Sequence, residues 1–182
     1  MAELYERIAG ERRRLREVRQ MMTAAVELKS RGDKDYVTFY IAIGDYFEAA
    51  MDRLHEQDIR MGDLLNKKAD LSQPKNQQAM KELDARLEGN QLHLKELMTA
   101  RDSLKQKNEL ALEEFEVAGK GYSDFIINNM GHHPGTNDMA QEVFSAEDWN
   151  YMAYISDDDL QNQERLYDDV VAAKPKGLSL EN

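Results

Sequence analysis

The spacing of inward-facing positions over residues 37–65 predicts a long helix. These positions alternate at intervals of three and four, the period of a helix side that packs against other helices. They are Val37, Tyr40, Gly44, Phe47, Met51, Leu54, Asp58, Met61 and Leu65. One member, Asp58, is a carboxylate, and Glu48 and His55 lie beside the stripe. Because burying an ionisable group is costly unless it is paired or bound to a metal, this sector indicates either metal ligation or a hydrogen-bonded polar cluster.

Similar stripes predict three more long helices. The first carries a carboxylate, Glu11, at an inward position and ends near Gly32, where glycine favours a turn. Pro74 marks the boundary between the second and third helices, because proline restricts the residue before it. The four helices are expected over residues 2–29, 34–69, 76–107 and 108–129, and the Gly-His-His-Pro-Gly sequence at 131–135 should stop the last one.

Two shorter helices should follow. Ser145 precedes Asp148 by three residues, and Ser156 precedes Asp159 in the same way, as in a capping box with Asp in place of Glu. The sequence therefore predicts an all-α fold, an antiparallel up-down four-helix bundle with two short C-terminal helices. We expect residues 1–173 to form a single domain and residues 174–182 a mobile tail.

Composition narrows the partners and the compartment. The net charge of −11 argues against a nucleic-acid partner for the chain as a whole. No window reaches 18 apolar residues, so we expect no membrane partner. The chain has no cysteine, which excludes thiolate metal sites and fits a reducing cytosol, so a cytoplasmic location is expected.

The charge is distributed unevenly along the chain. Residues 1–31 hold eight Lys or Arg against five acids, whereas residues 136–173 hold ten acids and one arginine. Solvated helix faces are the simplest explanation of both segments. The alternative is that the acidic segment packs across the basic helix, within one chain or between two, which would allow a homodimer.

The histidines suggest a metal as the candidate chemistry. Imidazole with carboxylate in a bundle core suits iron, manganese or zinc. The ferritin-like di-iron pattern needs two Glu-x-x-His motifs on different helices. Asp52 and His55 have the related spacing, and no second copy occurs. This argues against a ferritin-like site.

A second group of motifs resembles the hemerythrin-like (HHE-type) family. Asp45-Tyr46 and Asp52-Arg53-Leu54-His55, followed by Asp58, are similar to the family's Asp-Arg-x-His helix. Further on, His132-His133-Pro134 and then Ser145-Ala146-Glu147-Asp148-Trp149 resemble its histidine-bearing helix end, proline loop and Ser/Thr-x-x-Asp-Trp element. The resemblance covers roughly residues 5–155. It implies a helical bundle that holds a non-haem di-iron centre through histidines and bridging carboxylates.

The chain departs from that ligand pattern on every helix. Glu11 stands in phase where the family has a histidine on the first helix, and His93 is displaced on the third. The metal ligands implied by the resemblance and by inward phase are His55, Asp58, Glu48, Glu11 and His133. Two alternatives remain open: Glu11 could instead pair with Arg101, which also lies on an inward stripe, and His133 could belong to an exposed loop.

The sequence is consistent with three functional hypotheses. The first is a hemerythrin-like protein that binds or senses oxygen, nitric oxide or iron through a divergent site. The second is a metal-free helical module for interaction with a partner or for dimerisation. An enzyme such as a di-metal oxidase or peroxidase ranks third. No Gly-rich phosphate loop and no Ser-His-Asp or Cys-His arrangement points to another catalytic class.

Overall fold

The computed structural model describes residues 2–129 and 134–178, and all of its regular elements are helical. The helices are α1 (Ala2–Leu28), α2 (Asp35–Lys68), α3 (Pro74–Lys107), α4 (Leu112–Asn129), α5 (Pro134–Val143), α6 (Ala146–Met152) and α7 (Asp157–Ala173), with a 3-10 turn at Asn108–Ala111. The all-α prediction is confirmed. The single long helix that bears His55 is also confirmed, since α2 runs unbroken through it.

Three helices follow α4, whereas the sequence predicted two. The additional helix, α5, begins at Pro134, which we had expected to belong to a helix-stopping loop. Proline is well suited to the first position of a helix, because its missing N–H would have no partner there. Thr136, Met139 and Ala140 are buried at helical spacing, so α5 is held by packing on the rest of the molecule.

The central pair of helices is α2 and α3, which run antiparallel. Gly44 lies against Arg101 and Gly62 against Leu83, so early residues of one helix face late residues of the other. Helix α4 packs against α3 and also against α1, where the hydroxyl groups of Thr23 and Ser123 are 2.6 Å apart.

Helix α7 lies against α1 and α2. Arg14 pairs with Glu164 at 3.3 Å, and Tyr167 donates a hydrogen bond to Glu17. Residue numbers thus rise in the same direction along the two helices at these contacts, so α1 and α7 run parallel. The acidic segment thus does pack on the basic helix within the chain.

The main core is formed by α1–α4 and α7, and a smaller one by the end of α2 with α3, α5 and α6. Tyr40 stacks on Phe115 at 4.7 Å between ring centres within the main core. Leu178, only 3% exposed, also packs there. The predicted tail therefore begins with residues that contact the bundle, and residues 179–182 lie outside the described residues. Mobility of the tail stays a prediction.

Within the ranges 2–129 and 134–178, no helix combines the length and apolar character needed to cross a bilayer.

Candidate functional site

The interface between α2 and α3 carries the polar side chains that the sequence singled out. At one end, Arg101 Nη1 lies 3.0 Å from Asp45 Oδ1 and also contacts Glu48. The Arg101 stem crosses α2 over Gly44, where an added Cβ would lie 2.8–3.0 Å from its Cδ, Cγ and Cβ atoms. Glycine at this position lets the guanidinium reach both carboxylates.

This cluster is strongly charged but well compensated. The Arg101 side chain is 8% exposed. Burial lowers the pKa of Arg101, but the hydrogen bonds that it donates to Glu48 and Asp102, together with the charges of these carboxylates, outweigh burial and raise the pKa overall. The guanidinium therefore stays charged and holds Glu48, one of the predicted metal ligands, as an ion-pair partner.

Asp58, the carboxylate on the inward stripe of α2, is paired with an arginine of α3. Its Oδ2 atom accepts a hydrogen bond from Arg86 Nε at 3.2 Å, and the side chains are 21% and 6% exposed. We had expected Asp58 to lie inside the bundle within reach of a charged or metal partner. That expectation is confirmed, with arginine as the partner.

His55 lies between these two ion pairs and is engaged by a neutral partner. The distance from Gln91 Nε2 to His55 Nε2 is 2.9 Å. Because an amide NH2 group can only donate, this contact is a hydrogen bond when His55 Nε2 accepts and the imidazole proton sits on Nδ1. His55 Nδ1 is buried and has no hydrogen-bond partner in the described structure. The Nε2 lone pair is thus taken by Gln91.

A buried hydrogen bond joins α3 to α4 in the same region. Tyr122 donates to Asn90 Oδ1 at 2.6 Å, and both residues are almost fully buried. Burial, with a smaller effect of Asp52, raises the pKa of Tyr122 well above 10. The His93 ring packs against Phe125 at a tilt of 34°, with ring centres 4.9 Å apart, and His93 Nδ1 lies 3.4 Å from Glu96.

Glu11 lies in a different cluster, formed by α1, α2 and the end of α6. It is 3.8 Å from Arg7, and its side chain is 9% exposed. The predicted alternative of a Glu11–Arg101 pair is wrong, because Arg101 is held by α2 carboxylates. Arg7 and Arg53 both donate to the carbonyl of Ala153, at 2.8 and 2.9 Å. Burial lowers the pKa of Arg53, and the charge of Glu11 opposes that shift.

The predicted ligands are distributed along the bundle. Glu48 and Asp58 are ten residues apart, about 15 Å along the axis of α2. Arg53, near Glu11, and His55 differ by about 200° around the same helix. Among the described residues, no three His, Asp or Glu side chains come close enough to hold one ion. His133, the fifth predicted ligand, lies outside the described residues.

The donors in the described structure therefore do not fit a di-iron centre. Ligands bind transition metals at about 2.0–2.3 Å, so several donors must converge on one point. Here the carboxylates are bound to arginines. The apolar spacing placed Arg101 on an inward stripe, but Arg86 and Arg53 were not predicted to be core residues. The sequence did contain an indication of their burial, since Arg86 and Arg53 each lie three or four residues from apolar positions that are buried.

An exposed aromatic patch, formed by the end of α6, the residues just after it and α2, was not predicted from the sequence. Tyr151 and Tyr154 are 56% and 61% exposed, and Ile59 is 42% exposed. The guanidinium of Arg60 lies 5.9 Å from the Tyr151 ring centre and donates to the Tyr154 carbonyl at 3.0 Å. Two open clefts lie on the outside of the molecule, one beside the start of α2 and one between α3 and α4.

Comparison with known proteins found no matching family model, no similar curated protein and no matching solved structure. The resemblance to hemerythrin-like proteins therefore rests on the short sequence motifs alone.

Proposed function

We propose that this chain is a metal-free helical interaction module. Its four long helices α1–α4 form an antiparallel up-down bundle, and α5–α7 pack around it. The observation that carries the proposal is the set of arginine–carboxylate pairs at positions where a metal protein would place its ligands. Arg86 holds Asp58 and Arg101 holds Glu48.

These pairs make metal binding costly. An ion that took Asp58 would leave Arg86, which is 6% exposed, as a buried charge without a counterion. Breaking one partner out of a buried pair typically costs about 3–5 kcal/mol. The free energy of metal binding would have to exceed both this cost and the cost of removing the ion's own water ligands.

The surface supports the interaction role. Tyrosine and arginine are enriched at the centres of protein interfaces, and Tyr151, Tyr154 and Arg60 are adjacent on the outside of the molecule. Large apolar side chains grouped on a surface often mark a place where another protein binds.

Metal analysis tests the proposal. Protein purified without an affinity tag, then exposed to Fe(II) under anaerobic conditions and desalted, should retain far less than one iron per chain. His55→Ala and the control His93→Ala should give the same low value. Stoichiometric iron that is lost in His55→Ala, but kept in His93→Ala, with helix content unchanged in both variants, would contradict the proposal.

One observation favours the second candidate, a hemerythrin-like protein that binds iron or a similar ion to bind or sense oxygen or nitric oxide. His55 Nδ1 is a buried nitrogen with no hydrogen-bond partner among the described atoms. Such an atom is costly unless something binds it. On this candidate the imidazole proton would move to Nε2, with the Gln91 amide turned so that its oxygen accepts it, which frees the Nδ1 lone pair for the ion. The metal analysis above decides between the two candidates.

A further inference from the structure

The outer surface formed by α1 and α7 has two faces of opposite charge side by side. The basic face consists of Arg12, Arg13 and Arg16, and the acidic face of Asp157, Glu164 and Asp168. All six side chains are exposed. On α7 the three acids are spaced by seven and four residues, so they form one stripe along the helix.

Most of these charges have no counterion among the described side chains. Within the described part of the chain, the basic face forms no ion pair with a carboxylate. Glu164 is paired with Arg14, whereas Asp157 and Asp168 form no ion pair with any side chain that the structure describes. Arg19, one turn beyond Arg16, has its pKa lowered by burial and then by the charge of Arg16. The basic helix thus carries uncompensated positive charge in a chain whose net charge is −11.

We propose that the α1–α7 surface binds a second copy of this chain. The inference rests on the proposed interaction role and names its partner. Because α1 and α7 run parallel, a two-fold axis along the helices and between the copies would place α1 of each copy against α7 of the other. The basic face then meets the acidic face twice, as an isologous interface requires.

The net charge does not prevent this contact. At about 0.15 M salt the Debye length is about 8 Å, so charges far from the interface are largely screened. Opposite charges in contact are screened least, and their complementarity fixes the orientation and suppresses other arrangements. Exposed ion pairs are individually weak, so the dimer should be reversible and sensitive to salt.

Two charge-reversal variants test the arrangement. Arg13→Glu/Arg16→Glu makes both faces acidic, and Asp157→Lys/Asp168→Lys makes both faces basic. For each variant alone, the dimer dissociation constant measured by sedimentation equilibrium should be at least about tenfold higher than that of the wild type. Mixed in equal amounts, the two variants should form a heterodimer, because both contacts in that pair unite opposite charges. Circular dichroism establishes that each variant is folded.

Matched controls change the net charge equally on another surface. Lys75→Glu/Lys81→Glu and Asp84→Lys/Glu88→Lys alter exposed residues of α3 that form no ion pair among the described side chains. Both should dimerise like the wild type. Raising the salt from about 0.1 M to about 1 M, which shortens the Debye length to about 3 Å, should dissociate the wild-type dimer.

Several results would overturn the proposal. A wild type that stays monomeric at low salt excludes it and leaves the metal-free assignment intact, since iron content is measured separately. A dimer that persists in both charge-reversal variants uses another surface, such as the exposed aromatic patch around Tyr151 and Tyr154. If the wild type is monomeric and binds a DNA duplex, and Arg13→Glu/Arg16→Glu does not bind it, the basic face is a nucleic-acid site and not a dimer interface. Failure of the folded variants to pair when mixed would exclude the two-fold arrangement.

Discussion

At the scale of single residues, the contact between Gly44 and Arg101 explains how a charged side chain is accommodated between two packed helices. The absence of a Cβ at Gly44 leaves room for the Arg101 stem, which then extends to Asp45 and Glu48. Glycine normally weakens a helix interior by about 1 kcal/mol relative to alanine. At this position the close approach of the arginine offsets that cost.

Gly44→Ala should therefore destabilise the protein. The new Cβ would overlap atoms near the base of the Arg101 side chain, and overpacking of this kind costs about 1–3 kcal/mol. The gain in helix propensity, about 1 kcal/mol, only partly offsets that cost. We expect a net loss of about 1 kcal/mol in the free energy of unfolding, measured with urea.

Gly121→Ala on α4 is the control, because an added Cβ there meets nothing within 4 Å. It should stabilise the protein by about 0.5–1 kcal/mol. Equal effects of the two substitutions would show that Arg101 does not constrain Gly44.

At the scale of elements, the sequence located the long helices well because their apolar periodicity is unbroken. It placed the start of α3 two residues late, at residue 76 in place of Pro74, and it missed α5. Both errors involve a proline at the first position of a helix, which was taken only as a boundary signal. The N-cap residues of α6 and α7 were predicted at the correct positions. At Ser145 both reciprocal hydrogen bonds of a capping box are present, whereas at Ser156 the side chain accepts from the Asp159 N–H.

The inward stripe predicted for α2 covered only part of its buried surface. Phe39, Ile43 and Tyr46 are also buried, because α7 covers a second side of α2. The run of apolar residues around them indicated burial on several sides. Which helix covers that side depends on long-range packing that periodicity does not encode.

The short helix α6 should depend on the arginines that hold its C-terminal end. Arg53 is 8% exposed and donates to the Ala153 carbonyl, where the partial negative charge of the helix end favours a cation. Arg53→Met removes a hydrogen bond of a charged group, worth about 1.5–3 kcal/mol. Amide hydrogen exchange in α6 should accelerate by at least about tenfold, with α3 and α4 unchanged.

Arg165→Met provides the comparison, since Arg165 pairs with Asp169 only on the exposed surface of α7. Exchange in α6 should not change in that variant. Uniform acceleration across all helices in Arg53→Met would show that this arginine stabilises the whole fold and not α6 in particular.

At the scale of the whole molecule, several buried tyrosines make stability sensitive to alkaline pH. Burial raises the pKa of Tyr40, Tyr46 and Tyr122, in each case as the largest cause. The hydrogen bond to Glu17, followed by burial, raises the pKa of Tyr167 to about 12. The folded state therefore favours the neutral phenol at these positions.

The sign of the pH effect follows from that preference. Below pH about 10 the phenols are neutral in both the folded and the unfolded states, so the stabilisation is complete. Above it the unfolded chain ionises first, and the contribution of Tyr167 is lost as the pH rises towards about 12. We expect the free energy of unfolding to fall between pH about 10 and 11.5, with a smaller slope in Tyr167→Phe. An identical slope in that variant would contradict the role of the Glu17 hydrogen bond.

The candidate site was only partly predictable from the sequence. Phase placed Asp58 inside the bundle, and the structure agrees. The helical spacing could not identify the partner of Asp58, because the pairing with Arg86 depends on the axial register between α2 and α3. Glu48 and Asp58 lie ten residues apart on α2, and this register directs each to a different arginine of α3, so the predicted ligands form separate ion pairs.

The central claim is that these ion pairs, and not a metal, stabilise the polar interior of the bundle. A ligand that binds only the folded state raises the free energy of unfolding in proportion to the logarithm of its free concentration once it exceeds the dissociation constant. The most direct test is therefore urea unfolding of the wild type under anaerobic conditions, with increasing Fe(II) and separately with a strong chelator. If the ion pairs alone stabilise the interior, the unfolding midpoint should be the same in all of these solutions. A midpoint that rises steadily with Fe(II), and no longer does so in His55→Ala, would contradict it.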